Sequence, residues 1–416
     1  MKKILLFLSL FAMVFTSCDN EEVDEIFDQS PEQRVSEQLN IVRTDLMSNE
    51  MGWLSTYTFF EGKEELVLLI KFIDETRAEI SAPELNMKQE SSYVLNYTQQ
   101  VDLVFDTHSF LAQLVDLGYK ADFRWELDKQ EDGEYFFKST AGKTEGESEL
   151  NMVKASPEKL ASALKIQALK AKMKPNLNIS YFRVLELTSG ERYDYSFINN
   201  KVIFDQAGEE DLIRFESEIT LNENGFVLTT PFVVNGKSIS EFEYEETSGN
   251  FKIINNDEVE GGINFSNSPA ILPLGISKFG TTAKDLLFIP SLNLKHCSPK
   301  LAELYNKVDA DLKSKGFDLS RFYLTPNDAM WLKINGGYQK IAYTSEIENN
   351  KVIFKITGSS ISDNSLFEAL MPLLQVIFAS NGQYFIDEGQ FENYSNKAYS
   401  FISEDYPNMK LYMIGV

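Results

Sequence analysis

Between three Ser-Pro dipeptides the apolar residues of this chain recur at every second position, and that period sets what it can fold into. In Phe123-Arg124-Trp125-Glu126-Leu127, apolar and charged side chains alternate. Over 213–221, Ile213, Phe215, Ile219 and Leu221 stand against Arg214, Glu216, Glu218 and Thr220. Each such segment offers one face to a core and one to water, which is the signature of a half-buried strand. Runs at 53–60, 66–73, 93–97, 101–105, 135–138, 181–187 and 193–197 read the same way. Short loops join neighbours, so the sheets are expected as antiparallel meanders. The fold class is mainly β (α+β), with barrels or sandwiches as the two ways to close such meanders.

The Ser-Pro dipeptides at 30–31, 156–157 and 298–299 each open a helical pattern. Ser30-Pro31-Glu32-Gln33 has the form of a capping box with Pro at the first helical position, followed by Val35, Leu39, Val42 and Leu46. Ser156-Pro157 opens a second helix, to about Lys172, with Leu160, Ala163, Leu164 and Ala168 on one side. Ser298-Pro299 opens a third, with Leu301, Leu304, Val308 and Leu312 on one face and Gly316 placed to stop it. Three modules follow, each preceded by a helix: 30–155 as a barrel-like unit, 156–297 as a second β module, and 298–416 as an α+β module. The apolar run 366–378 reads as a core helix, kinked at Pro372. An internal echo supports repetition, because Asn199-Asn200-Lys201-Val202-Ile203-Phe204 recurs as Asn349-Asn350-Lys351-Val352-Ile353-Phe354, with Tyr193 and Tyr343 at the same offset. In both copies Asn-Asn is a turn and the rest a strand.

The N-terminus is an address. Lys2 and Lys3 precede the apolar run 4–15, too short for a membrane span. Residues 1–17 therefore form a signal peptide. It ends in Phe15-Thr16-Ser17-Cys18, a lipobox with Phe15 in place of the usual Leu, so Cys18 is the expected site of acylation by palmitate. Residues 18–29 form a tether in which 19–28 hold six acids and no base, a self-repelling and extended stretch. Such a stretch directly after a lipidated cysteine resembles the signal that sends lipoproteins to the outer face of the outer membrane. The expected location is the outer membrane, lipid-anchored and facing the cell exterior.

Composition narrows the chemistry. Two His and two Cys in 416 residues leave only His108, His296, Cys18 and Cys297 as soft ligands, which argues against zinc sites and a disulfide framework. A formal charge of −24 argues against nucleic acid as a partner. His108 stands at a strand end and His296 beside Cys297 at a helix start, unpaired by spacing. Cys297 would react only in an electropositive setting, to which Lys295 and Lys300 contribute. Asp309 and Asp311 read as solvated helix surface. No catalytic residue, metal site or cofactor is assigned, because no metalloprotease, P-loop, serine-hydrolase or calcium-loop motif occurs.

Several pieces resemble the Bacteroidota lipoprotein family of domain of unknown function 4302: Ile26-Phe27-Asp28 with Ser30-Pro31, Gly52-Trp53, Ser92-Tyr93 with 103–107, Asp122-Phe123, Gly225-Phe226 through Leu228 with Pro231, Asn235-Gly236-Lys237 and Phe242. These span most of the mature chain and are structural residues, so they carry no active site across. Where the family often has His or Asn near Asp106-Thr107, this chain has His108. The resemblance implies calycin- or lipocalin-like barrels. It also implies an accessory role beside a TonB-dependent transporter and its partner lipoprotein of the starch-utilisation type. The leading expectation is a binding accessory of a nutrient-uptake complex, taking a small ligand, glycan or peptide. The alternatives are a secreted hydrolase of glycan or peptide with a carboxylate pair, and a structural docking lipoprotein.

Overall fold

The computed structural model describes residues 29–58, 65–119, 121–139, 148–208, 211–254 and 259–416. The chain forms three closed antiparallel barrels of eight strands, each wound in chain order. Closure decides between the two expected β architectures in favour of barrels. Contacts divide the chain into two compact units, 1–161 with the first barrel and 162–416 with the other two.

In the first unit, helix α1 (Pro31–Leu46) leads strands β1 (Trp53–Thr58), β2 (Glu65–Phe72), β3 (Arg77–Ala82), β4 (Met87–Tyr97) and β5 (Val101–Phe105). Helix α2 (Phe110–Asp116) then precedes β6 (Arg124–Glu131), β7 (Glu134–Ser139) and β8 (Glu149–Lys154). The predicted capping box at Ser30 and Gln33 is formed. Only Val42 and Leu46 of α1 are buried, and the Leu46 carbonyl accepts a hydrogen bond from Trp53 Nε1 at 2.7 Å. Gly52 has φ +85°, and a Cβ there would lie 2.5 Å from the Ile70 carbonyl oxygen. Only glycine lets the chain enter β1 so close to β2. β1 closes on β8, with Trp53 opposite Lys154 and Thr58 opposite Glu149. The strand β3 escaped the sequence reading because its buried side chains are Ala78, Ile80 and Ala82, two of them small. The helix α2 escaped it too, being a bare two turns.

The second barrel follows helix α3 (Pro157–Met173) and comprises β9 (Phe182–Leu187), β10 (Arg192–Ile198), β11 (Lys201–Ala207), β12 (Leu212–Leu221), β13 (Gly225–Val234), β14 (Lys237–Glu245), β15 (Asn250–Ile254) and β16 (Gly261–Ser266). β9 closes on β16, from Phe182 opposite Ser266 to Leu187 opposite Gly261.

The third barrel starts with β17 (Leu286–Phe288), followed by helices α4 (Pro290–Asn293) and α5 (Pro299–Ser314), then β18 (Leu319–Thr325), β19 (Ala329–Ile334), β20 (Gly337–Glu348) and β21 (Lys351–Ser359). Helix α6 (Asn364–Ile377) separates these from β22 (Gln383–Gln390), β23 (Lys397–Ser403) and β24 (Leu411–Gly415). The helix expected at Ser298-Pro299 is present and capped by Ser298. It is an insertion between the first two strands, so the expected boundary at 297/298 falls inside this barrel. A strand of three residues has too little periodicity to be read in advance. α6 continues through Pro372 and buries Leu366, Ala369, Leu370, Leu373, Leu374, Val376 and Ile377, which makes it a core helix.

The six-residue echo falls at different places in its two barrels. Asn199-Asn200 joins β10 to β11, the second and third strands of their barrel. Asn349-Asn350 joins β20 to β21, the fourth and fifth of theirs. All four Asn have φ between 50° and 61°, the left-handed pair that a two-residue hairpin demands. Ile198 faces Lys201 and Glu348 faces Lys351 in the same register. The echo is a shared hairpin solution at non-equivalent strands.

Candidate functional site

The residues singled out in the sequence scatter over the structure. Cys18 lies outside the described residues. His108 is almost fully exposed, beside Asp106 and Thr107. His296 is half-buried, with its Nε2 3.0 Å from Glu392 Oε1 and its ring against Phe391 and Tyr412. Hydrogen bonds from Lys295 and His296 hold the Glu392 carboxyl below its ordinary value. Cys297 is buried, its Sγ accepts from the Tyr412 amide, and burial pushes its thiol up to about 11. That thiol is protonated at neutral pH and unreactive. Asp309 and Asp311 pair with Lys313 and Lys315 one helical turn on. These residues form no common site. No group of three His, Cys, Asp or Glu able to hold a metal occurs among the described residues.

The barrel interiors are filled by their own side chains. In the first, Trp53 meets Tyr135 edge-on at 5.2 Å and Tyr57 meets Trp125 at 5.8 Å, all with no exposed surface. In the second, Phe204, Phe226, Phe242 and Phe251 occupy the same place. In the third, α5 and α6 pack their apolar faces into the core. Aromatic packing of this density takes up the space a lumenal ligand would need.

One carboxylate pair lies in the second unit. Asp194 on β10 faces Asp205 on β11, and burial raises the Asp194 carboxyl above its ordinary value. Its oxygens accept from the amides of Ala270 at 2.7 Å and Ile271 at 3.2 Å. Asp205 receives the fork of Arg214, both contacts at 2.8 Å. Both carboxylates are thus committed. Asp194 holds the segment after β16 to the outside of the barrel, an arrangement that fixes structure.

The concavity with the most defined chemistry lies where α3 ends. A groove of about 310 Å³ is lined by Lys172, Lys174, Asn176, Tyr244, Glu246 and Ser248, among others, near the lower limit for a small-ligand site. Beneath it Arg183 on β9 is buried, and burial holds its pKa below the usual guanidinium value. Its guanidinium donates to the carbonyls of Lys172 at 2.6 Å and Gly249 at 2.9 Å. It also stacks near Phe265, Phe251 and Tyr195, 4.7 to 5.3 Å from their centroids. The cation offsets the carbonyl end of the helix dipole. Trp53 does the corresponding work for α1 in the first barrel. The signal for this site was a lone Arg in the apolar strand Phe182–Leu187 following the basic helix end Lys170, Lys172 and Lys174, and the sequence reading passed over it. The groove offers donors, one carboxylate and an aromatic wall, which suits binding of a small polar group.

Three closed antiparallel meander barrels of eight strands with filled interiors define a protein of calycin-like β-barrels. Residues 23–246 match the family described as a domain of unknown function, DUF4302, and the chain belongs to that family. The match takes in every piece quoted for the resemblance, from Ile26 to Phe242, and ends just past β14, so β15, β16 and the third barrel lie beyond it. No curated protein matches the chain. Among solved structures, the β chain of DNA polymerase III from Streptococcus pneumoniae is 10% identical, with 92% of this chain and 98% of that chain covered, at a TM-score of 0.15. That value carries no argument.

Proposed function

We propose that the protein is a lipoprotein of the outer membrane, anchored through acylated Cys18 and facing the cell exterior, that serves as a binding accessory of a TonB-dependent nutrient-uptake complex. The observation that carries this reading is the N-terminal series: two lysines, a short apolar run, Phe15-Thr16-Ser17-Cys18, and an acidic tether. Family membership agrees with it, through the lipoprotein context that the family resemblance implies. The filled barrels direct contact to outer faces and grooves, which favours a partner or a surface-bound ligand over one held in a lumen. The hydrolase alternative finds its nearest expression in Asp194 and Asp205, whose oxygens are already bonded to Ala270, Ile271 and Arg214.

Two measurements test the proposal. Metabolic labelling with palmitate is expected to mark the wild-type protein and to vanish in Cys18→Ala; label that persists in the variant overturns the anchor. Purification from membranes is expected to bring down a TonB-dependent transporter with its partner lipoprotein, and recovery of the protein alone overturns the uptake assignment.

A further inference from the structure

The outward side of the third barrel departs from the charge of the rest of the molecule. Strands β17, β18 and β19 and the first six residues of β20 contain no Asp or Glu, in a chain with 63 acids. Alternation sends Phe322, Leu324, Leu332 and Ile341 into the core and leaves Arg321, Tyr323, Trp331, Lys333, Tyr338 and Lys340 on the outer face, each at least partly exposed. Register arranges them as a grid. Arg321 is opposite Lys333 and Lys333 opposite Tyr338; in the next row Tyr323 is opposite Trp331 and Trp331 opposite Lys340. Sheet geometry sets the columns about 5 Å apart and the rows about 7 Å apart.

The six side chains pair internally, with Lys340 5.0 Å from the Trp331 ring centroid, Arg321 5.5 Å from that of Tyr323 and Lys333 6.0 Å from that of Tyr338. Arg321 also donates to Tyr338 Oη at 3.1 Å. Cation–π contacts stabilise such a face without neutralising it. Asp328 balances Lys340 at 2.8 Å. Among the described residues Arg321 and Lys333 have no carboxylate within ion-pair distance, and Arg321 Nε is buried without a hydrogen-bond partner. Two uncompensated cations therefore stand on an aromatic floor in a molecule of charge −24. Charge complementarity calls for an anion. The repulsive field of the whole chain disfavours a long polyanion, while a ligand with few charges feels mainly the cations within a Debye length of about 8–10 Å.

We propose that this outer face of β18–β20 binds a short acidic glycan through a uronate unit, with Arg321 and Lys333 holding its carboxylate and Trp331 and Tyr323 supporting its sugar ring. The inference deepens the binding-accessory reading, and it is tested in solution, so loss of the membrane anchor or of transporter partners leaves its test intact. Of the three tryptophans, Trp53 and Trp125 have no exposed surface, which makes Trp331 the reporter. Titrating the whole chain with trigalacturonate is expected to change Trp331 emission, with an affinity that falls as salt rises. The neutral methyl ester of the same trisaccharide is expected to give no change. Arg321→Gln with Lys333→Gln should weaken binding by about tenfold or more with an unchanged circular dichroism spectrum. Trp331→Phe should remove the optical signal while calorimetry still detects heat of binding. The proposal is overturned by no response to trigalacturonate, by an equal response to the ester, by undiminished binding in the folded double variant, or by tighter binding of a short single-stranded oligonucleotide.

Discussion

At the scale of single residues, one side chain ties the leading helix to the last two strands of the first barrel. Asp45, near the end of α1, accepts from Lys154 Nζ at 2.7 Å and from Tyr135 Oη at 2.9 Å. Burial pushes its carboxyl up, but the hydrogen bonds from Lys154 and Tyr135 outweigh that, and its pKa lies below the ordinary value. A carboxyl depressed in the folded state stabilises above its unfolded pKa of about 3.9, and the stabilisation is lost as pH falls through the folded value. Asp45→Asn is therefore expected to cost about 1 kcal/mol at neutral pH, with the gap to wild type closing in acid. Denaturant titrations at several pH values check this, and a gap independent of pH counts against the account. The inert setting of Cys297 was half-legible: its position at a helix start could be read, but the Tyr412 amide and the covering β24 come from 115 residues away. Asp194 and Asp205 face one another through the register of the Asn199-Asn200 hairpin and were locally legible, but the Ala270 and Ile271 amides that commit Asp194 come from 76 and 77 residues away.

At the scale of elements, periodicity and caps were legible where a segment was long and its two faces differed. The capping box of α1, the alternation of β6 and β12 and the hairpin Asn pairs all follow from neighbours in sequence. What could not be read was order around a barrel, since β17 is three residues long and its partners β18 and β24 are fixed by closure rather than by local preference. The hairpins allow a direct comparison. Asn199-Asn200 and Asn349-Asn350 hold the same left-handed backbone at strands of different rank. Replacing the second Asn by Val is expected to destabilise either barrel by about 1–2 kcal/mol, because a β-branched residue there carries the left-handed penalty. Replacement by Gly should be neutral or stabilising. Equal tolerance of Val and Gly in thermal unfolding would show that the turn is not what sets the register.

At the scale of the whole molecule, charge opposes compaction. Most ion pairs are exposed, such as Lys307 with Glu303 and Lys355 with Glu346, and pairs of this kind contribute little. The net charge of −24 is the larger electrostatic quantity, and self-repulsion weakens as salt screens it. The thermal midpoint is therefore expected to rise by several degrees between about 0.01 M and 0.15 M salt. A fall would mean that attractive pairs dominate.

The pairing of first strand with last has a kinetic consequence. Apart from the helical insertions after β5, β17 and β21, neighbouring strands within each barrel are joined by short connections, so most contacts are local and form readily as the chain emerges. The seam cannot be sewn until the eighth strand exists, at Glu149 for the first barrel, Gly261 for the second and Leu411 for the third. In vectorial synthesis the first two barrels can seal while residues are still being added. The third can seal only once Leu411–Gly415 has emerged, and until then Leu286–Phe288 is left as an open edge that invites mispairing. The strand Leu411–Gly415 is thus the latch of the third barrel, and its loss would leave that barrel unsealed while the seams of the other two are untouched.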